Sequence, residues 1–506
     1  MPGDKRRDRA GNRLFVVSNR LPVVVSRTED GGWQVAPGPG GLVTALAPVL
    51  RNRGGIWIGW PGVVEEEAEG LASVLQETDG DTGYDLKPVL LTAGEKSGFY
   101  YGFSNEIIWP LFHDLQSLCH FDPSYWAMYE QVNSKFANVI MESLQPSDFV
   151  WVHDYHLMNV AKELRDRGTT GKLGFFLHTP FPPMDVFIKL PWRFEILRAL
   201  IEYDLIGLQT LRDRRNFVQC LRLLIKDVKV QGHGQVIAAR IGGREVRIGA
   251  FPIGIDYNEF ARQASSQEVA EGAWYLHEHF PNRQIILGVD RLDYTKGIPY
   301  RLDAYRNALM RYPELHNNVI LIQVVVPSRE DIPKYQALKA EIEGLVGEIN
   351  GQFSQSNWVP IHYNFRSMDR PELLSYYRTA EIALVTPLKD GMNLVAKEFC
   401  TCSIEENSVL ILSEFAGAAA QLQNGALLVN PYDLEGVADA IYQAYTMPLK
   451  ERRARMRRLR RTVRRYDIYW WVDSFLRAAI AKDLKDFPVL DDYIPQPEEG
   501  EETGER

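Results

Sequence analysis

The run Ile382-Ala383-Leu384-Val385-Thr386-Pro387-Leu388-Lys389-Asp390-Gly391-Met392-Asn393-Leu394-Val395-Ala396-Lys397-Glu398 holds the unit from which the fold is read. Its first four residues are apolar without alternation, which suits a strand buried on both faces. The strand ends at Pro387, which has no N–H to give a ladder. A loop then presents Asp390, and a helix is expected to begin near Gly391. The amides of Met392, Asn393 and Leu394 would point from that helix start toward an anion or a hydroxyl, aided by the helix dipole. Glu398 lies about two helical turns beyond Asp390. Two acids so spaced suit sugar hydroxyls, because each carboxylate oxygen accepts hydrogen bonds. A plainer reading, with Asp390 as helix cap and Glu398 on an exposed face, stays open at this level.

The same order of apolar run, turn and helical stretch recurs along the chain. Leu14–Ser18, Ile56–Trp60, Phe149–His153, Leu173–His178, Leu205–Gln209, Ile285–Val289, Val319–Val326, Val409–Leu412 and Leu427–Asn430 all read as buried strands. Strands that are apolar on both faces, with helices between them, imply parallel sheets covered by helices, so the class is α/β. The array is too long for one sheet. A break falls at Phe251-Pro252-Ile253-Gly254-Ile255-Asp256, before a polar helical segment and a fresh strand at Ile285. Two doubly wound, Rossmann-like domains are expected, over 1–253 and 254–475, facing a central cleft. A terminal helix over 476–494 is expected to cross back to the first domain, and a disordered acidic tail to fill 495–506.

The 506 residues are 45% hydrophobic and 24% charged, the balance of an ordinary globular chain. The net charge of -9 argues against a nucleic-acid partner, which would call for a basic footprint. Cys119, Cys220, Cys400 and Cys402 are too few and scattered for a disulfide framework, and Cys400-Thr401-Cys402 lacks the second pair a metal site needs. Leu14–Val17 is too short for a signal-peptide core, and no apolar run has the length of a membrane span. A cytoplasmic, soluble protein is expected, with no membrane partner.

Asp290-Arg291-Leu292-Asp293-Tyr294-Thr295-Lys296-Gly297 follows the first strand of the second half. Arg291 and Lys296 leave the carboxyl edge of that strand together. Paired cations there would neutralise a diphosphate, Arg by a forked contact and Lys as a point charge. Gly38-Pro39-Gly40-Gly41 opens a helical stretch and would let amides approach a phosphate, but it fails as a dinucleotide fingerprint. Val43 stands where the third glycine should be, and Ile58 and Gly59 stand where an acid is required. Asp79-Gly80-Asp81 lacks the partners of a calcium loop or a phosphatase site. His153, His156 and His178 lack a fourth ligand, so no metal is expected. The nine arginines of Arg452–Arg465 leave Met456, Leu459 and Val463 on one stripe, so they read as a solvated helix face.

These pieces occur in order with Ser18-Asn19-Arg20-Leu21-Pro22-Val23, the Gly40-Gly41 pair, Trp151-Val152-His153-Asp154-Tyr155-His156 and Leu177-His178-Thr179-Pro180-Phe181-Pro182. Over roughly 13–485 the chain resembles the trehalose-6-phosphate synthases, retaining glycosyltransferases of the two-Rossmann-domain, GT-B type. The resemblance implies transfer of glucose from a nucleotide-glucose, usually UDP-glucose, to glucose 6-phosphate, with no cofactor. It places Gly41, Arg291, Lys296, Asp390, Met392, Asn393, Leu394 and Glu398 on the donor and His178 on the donor sugar. Arg20 and Arg329 would clamp the acceptor phosphate. Tyr100, Trp109 and Asp154 would hold the acceptor sugar, with Trp57 nearby. A homo-oligomer stays open.

A retaining glycosidase needs two carboxylates about 5 Å apart, one of them a nucleophile. No acid here is placed for that role. Catalysis would then rest on Arg291, Lys296, Asp154 and His178, through positioning and charge neutralisation. Two rivals remain. A glucosylglycerol-phosphate synthase would share the donor half and take glycerol 3-phosphate, and a catalytically silent sugar-phosphate sensor would be expected to lose donor residues that this chain keeps. A sugar-nucleotide epimerase would leave the acceptor set unexplained.

Overall fold

The computed structural model describes residues 13–495, apart from 29–31, 39–40, 72, 76, 78–82, 330–331, 482–483, 485–486 and 489. Gly40, Asp79-Gly80-Asp81 and the acidic tail from residue 496 therefore lie outside the described residues. The described chain up to Asn258, with Arg464–Leu490, forms one compact unit, and Glu259–Val463 with the residues from Asp491 forms a second.

The first unit contains β1 (Leu14–Arg20), β2 (Val23–Arg27), β3 (Trp33–Pro37), β4 (Gly55–Trp60), β5 (Asp85–Pro88), β6 (Phe149–His153), β7 (Lys172–Phe176), β8 (Leu205–Leu208), β9 (Lys229–Gln231), β10 (Val236–Ile241) and β11 (Arg244–Ala250). β2 and β3 form a separate hairpin. The other nine make one sheet in the order β5-β4-β1-β6-β7-β8-β11-β10-β9. Its six-strand parallel heart, β5-β4-β1-β6-β7-β8, has the 3-2-1-4-5-6 order of a doubly wound sheet. β1 lies between β4 and β6, with Leu14 opposite both Gly55 and Phe149.

The second unit contains β12 (Gln284–Arg291), β13 (Val319–Val326), β14 (Ile361–Phe365), β15 (Ile382–Val385), β16 (Val409–Ser413) and β17 (Leu427–Val429). All pair in parallel in the order β14-β13-β12-β15-β16-β17, again 3-2-1-4-5-6. The fold is α/β, with two doubly wound sheets.

Three arrangements differ from the sequence expectation. The first unit runs on to Asn258, and the chain returns to it at Arg464. The returning helix spans Ile468–Ile480, where 476–494 had been expected. The cause is local: Asp467 caps this helix by accepting from the Trp470 amide at 2.9 Å, so the preceding arginine helix, Leu449–Arg465, must end first. Trp471 and Phe475 then bury against Trp151, with ring centroids 5.0 and 4.2 Å away. On the arginine helix, Met456, Leu459 and Val463 are buried, and so is Arg452. Its guanidinium donates to the carbonyls of Ala444, Tyr445 and Met447, satisfying the end of the previous helix. Among the described residues no helix is long and apolar enough to cross a membrane.

Candidate active site

In a doubly wound sheet the order reverses between the first and fourth strands, and ligands collect beyond the carboxyl ends there. In the first unit that point lies between β1 and β6, which deliver Arg20 and Asp154. In the second it lies between β12 and β15, which deliver Arg291 and the loop carrying Asp390. Arg20 and Arg291 are both exposed strand-end residues, and neither guanidinium donates to an acceptor among the described residues.

Asp154 departs from β6 with φ 73° and ψ 167°, a region that side-chain-bearing residues rarely enter. Its carboxylate accepts from the amides of Tyr155, His178 and Thr179, with the His178 amide 3.2 Å away. Burial outweighs those bonds and pushes the carboxyl up to about 6. Next to it, His153 Nδ1 lies 3.2 Å from His178 Nε2. Burial holds His178 down to about 3 and His153 well below the usual histidine range, so both rings are neutral at pH 7.

A chain of aromatic contacts leads from Arg20 across the first unit. The guanidinium carbon sits 4.8 Å over the Trp60 ring, and Trp60 lies 5.7 Å from Tyr100. Tyr100 stacks on His156 at 6.0 Å, His156 on Tyr155 at 4.0 Å, and Tyr155 meets Trp109 at 5.9 Å. Tyr100 belongs to a π-helix over Lys96–Ile108 that ends against Trp109. Trp57 stands apart from this row. It is 1% exposed, and its Nε1 donates to Ser18 Oγ at 2.8 Å, whose hydroxyl in turn donates to the Arg20 carbonyl at 2.7 Å. Trp57 thus supports the backbone of Arg20, and Trp60 is the tryptophan beside its guanidinium. Three residues apart on one strand, the two tryptophans fall on opposite faces, but spacing does not say which face meets the Arg20 guanidinium.

In the second unit Lys296 Nζ lies 2.6 Å from Asp390 Oδ2, and Asn393 Nδ2 donates to the same oxygen at 3.2 Å. The helix begins at Leu394, three residues later than expected, with Asn393 as its cap. Asn393 Oδ1 accepts from the Ala396 amide at 3.0 Å, so Met392 and Asn393 lie in the loop and Leu394 is the first helical residue. The delay follows from cap chemistry: an asparagine that bonds the third helical amide outcompetes a glycine as the start. Glu398 accepts from the Tyr377 hydroxyl at 3.1 Å, and burial raises its pKa.

The Arg291–Gly297 loop is fixed from below. Gly297 has φ 64°, and a Cβ there would come within 2.7 Å of the Thr386 carbonyl oxygen, so only glycine fits where this loop meets the end of β15. The fully buried Arg301 joins Asp290, Gln323 at 3.1 Å and Thr386 Oγ1 at 3.0 Å. Arg329 lies in this second unit, 3.5 Å from Asp293 Oδ2 and 2.5 Å from the Tyr335 hydroxyl. Burial opposes ionisation of Asp293, but Arg329, Arg291 and Lys296 outweigh it and hold its carboxyl below the usual range.

A family model described as glycosyltransferase family 20 matches residues 12–481. The chain belongs to that family. It is 40% identical over 492 residues to a trehalose-6-phosphate synthase of Mycobacterium avium, an alignment that covers 96% of this chain and 98% of the relative. Among solved structures it superposes on an alpha,alpha-trehalose-phosphate synthase (UDP-forming) of Burkholderia xenovorans in complex with glucose-6-phosphate, with TM-score 0.82 and 35% identity over 92% of this chain and all of the other. It superposes equally on the Escherichia coli trehalose-6-phosphate protein bound with UDP-2-fluoro glucose, with TM-score 0.82 and 36% identity over 92% of this chain and 99% of the other.

Within this family frame, Trp60, Tyr377, Asp293 and Arg301 are residues of the two candidate sites that the sequence reading does not single out, and His153 is weighed there only as a metal ligand. Asp293 and His153 lie inside quoted motifs, and their buried partners carry the signal that they position neighbours. Tyr377 and Arg301 sit on helices with no motif of their own. Among the described residues no three His, Cys, Asp or Glu side chains are grouped as a metal would need. Burial raises the thiols of Cys220, Cys400 and Cys402.

Proposed function

We propose that this chain transfers glucose from UDP-glucose to glucose 6-phosphate with retention, giving α,α-trehalose 6-phosphate and UDP. The observation that carries the reading is the matched pair of strand-end arginines. In the second unit Arg291 ends β12 and the turn that follows carries Lys296, paired with Asp390; in the first, Arg20 stands over Trp60, which meets Tyr100. The first set suits a diphosphate attached to a sugar: cations for the phosphates, and Asp390, the loop amides of Met392 and Asn393 and the helix amide of Leu394 for hydroxyls and charge. Glu398 suits the ribose diol, and Gly41 opens a helix whose start suits a phosphate. The second set suits a phosphorylated hexose, with an arginine for the phosphate and aromatic faces and Asp154 for the ring. The relative solved with glucose-6-phosphate and the one bound with UDP-2-fluoro glucose support both halves of the reading.

No step requires a protein nucleophile. The acceptor hydroxyl attacks as the diphosphate leaves, and the departing phosphate takes its proton on the same face. Arg291 and Lys296 stabilise the charge that develops on the leaving group, and they do so without reorganising. In the first unit Arg20 suits the acceptor phosphate, and in the second Arg329 is held 3.5 Å from Asp293. The test is incubation with UDP-, GDP- or ADP-glucose plus glucose 6-phosphate or glycerol 3-phosphate, with identification of the products. Trehalose 6-phosphate from UDP-glucose is expected. A glucosylglycerol phosphate, or no product with any pair, overturns the reading.

A further inference from the structure

His153 is fully buried, and its ring is packed among Trp151, Phe176, Trp471 and His178, with centroids 4.8, 6.5, 6.2 and 5.5 Å away. Only one of its nitrogens has a partner: Nδ1 faces His178 Nε2 at 3.2 Å, and Nε2 is buried with none among the described residues. A neutral imidazole carries one donor and one acceptor, so two arrangements are open. If His178 donated, His153 would carry its proton on Nε2, leaving an orphaned N–H among aromatic rings. Orphaned buried donors are the rarer defect and cost about 1–3 kcal/mol. If His153 donates from Nδ1, only a lone pair is left without a partner. His178 must then carry its own proton on Nδ1, the nitrogen that has no protein partner among the described residues.

We infer that His153 is a positioning residue that fixes His178 as the Nδ1–H tautomer, so that His178 offers the nucleotide-sugar a hydrogen-bond donor for a sugar hydroxyl oxygen. This rests on the reading of His178 as a donor-sugar residue. The other groups facing the pair agree. The Asp154 carboxylate accepts from the His178 backbone amide, which anchors the backbone there, and Trp471 and Phe176 pack against the ring. A ring locked as a donor cannot instead accept from a hydroxyl, so the contact has one sense only.

The test reads the tautomer directly from ring nitrogen NMR shifts in the full chain labelled with 15N-histidine. Wild-type protein should show His178 protonated on Nδ1. His153→Phe should return it to the Nε2–H form that an unconstrained histidine side chain prefers and raise the KM for UDP-glucose roughly three- to tenfold, the value of one neutral hydrogen bond. The KM for glucose 6-phosphate should not change. His153→Asn, whose amide can donate from nearly the same place, should restore both signals. An Nε2–H proton on His178 in the wild type, or an unchanged tautomer in His153→Phe, overturns the inference. A correct tautomer with an unchanged UDP-glucose KM in His178→Ala overturns the donor reading and leaves the positioning intact.

Discussion

Lys296 Nζ lies 2.6 Å from Asp390 Oδ2, with the two side chains 15% and 12% exposed. The cation assigned to a diphosphate and the carboxylate assigned to a sugar therefore hold each other before either meets substrate. Removing one partner of so sheltered a pair leaves the other charge uncompensated, which costs more than the pair itself contributes. Lys296→Met should therefore lower the melting temperature and raise the KM for UDP-glucose, whereas the double variant Lys296→Met/Asp390→Asn should recover stability without recovering activity. A double-mutant cycle by thermal melts and initial rates measures both effects, and additive melting shifts would count against the coupling.

Among the described residues Arg291 makes no comparable ion pair, so its guanidinium has hydrogen-bond donors to offer a ligand. Its charge should matter most as negative charge grows on the leaving diphosphate. Arg291→Ala should reduce kcat by about 100-fold or more, as does loss of a preorganised oxyanion donor. The KM for glucose 6-phosphate should stay within about twofold, because the proposed role puts this residue on the donor diphosphate. Turnover close to wild type would remove Arg291 from the diphosphate site.

Asp154 should make acceptor use depend on pH. Its carboxyl is raised to about 6 by burial, and only the ionised form accepts a hydroxyl hydrogen bond through both oxygens. The KM for glucose 6-phosphate should climb as pH falls through about 6. Stability should move the other way. Because the folded-state value stands above the unfolded one, folding favours the protonated form, so this stabilisation is complete below the ordinary aspartate range and lost as pH rises through about 6. Asp154→Asn should accordingly raise the melting temperature at pH 8, leave it nearly unchanged at pH 4, and lose acceptor binding at both. Melting curves of the two proteins across that range check the sign.

Much of this architecture was legible in the sequence, for identifiable reasons. Strands such as Val319–Val326 are apolar on both faces and bury on both, so hydropathy alone marks them. β5, with the sequence Asp-Leu-Lys-Pro, and β14, with Ile-His-Tyr-Asn-Phe, are sheet-edge strands with polar residues on the open side, and no apolar run announces them. At the site, Arg20, Asp154, Arg291 and Asp390 sit where strands end, and strand ends are what apolar runs locate best. The helix starts at Leu394 and not near Gly391 because the Asn393 side chain caps it. The buried supports were hidden for a different reason: Arg301 and His153 are defined by partners 85 and 25 residues away, which no local pattern encodes. The π-helix was hidden too, because its register is set by tertiary packing and no sequence period reports it.

That register has a consequence for the acceptor. Tyr100 and Trp109 are nine residues apart, which on an α-helix of 3.6 residues per turn puts them on opposite faces. The wider π ladder, about 4.4 residues per turn, brings them to the same face after about two turns, and both rings do converge on Tyr155 and His156. The π-helix can pack closely on the helix Pro123–Met141 because glycines face it. A Cβ on Gly98 would come within 2.6 Å of the Met128 side chain, and one on Gly102 within 2.6 Å of the Tyr125 ring. Gly102→Ala must therefore push the two helices apart or unwind the π turn, at a cost of about 1–3 kcal/mol. It should raise the KM for glucose 6-phosphate and leave that for UDP-glucose unchanged. Gly344→Ala, in the helix Pro333–Phe353 with open space around it, should instead stabilise the protein by about 0.5–1 kcal/mol without altering either KM. If Gly102→Ala behaved like Gly344→Ala, the close packing would not be what sets the acceptor residues in place.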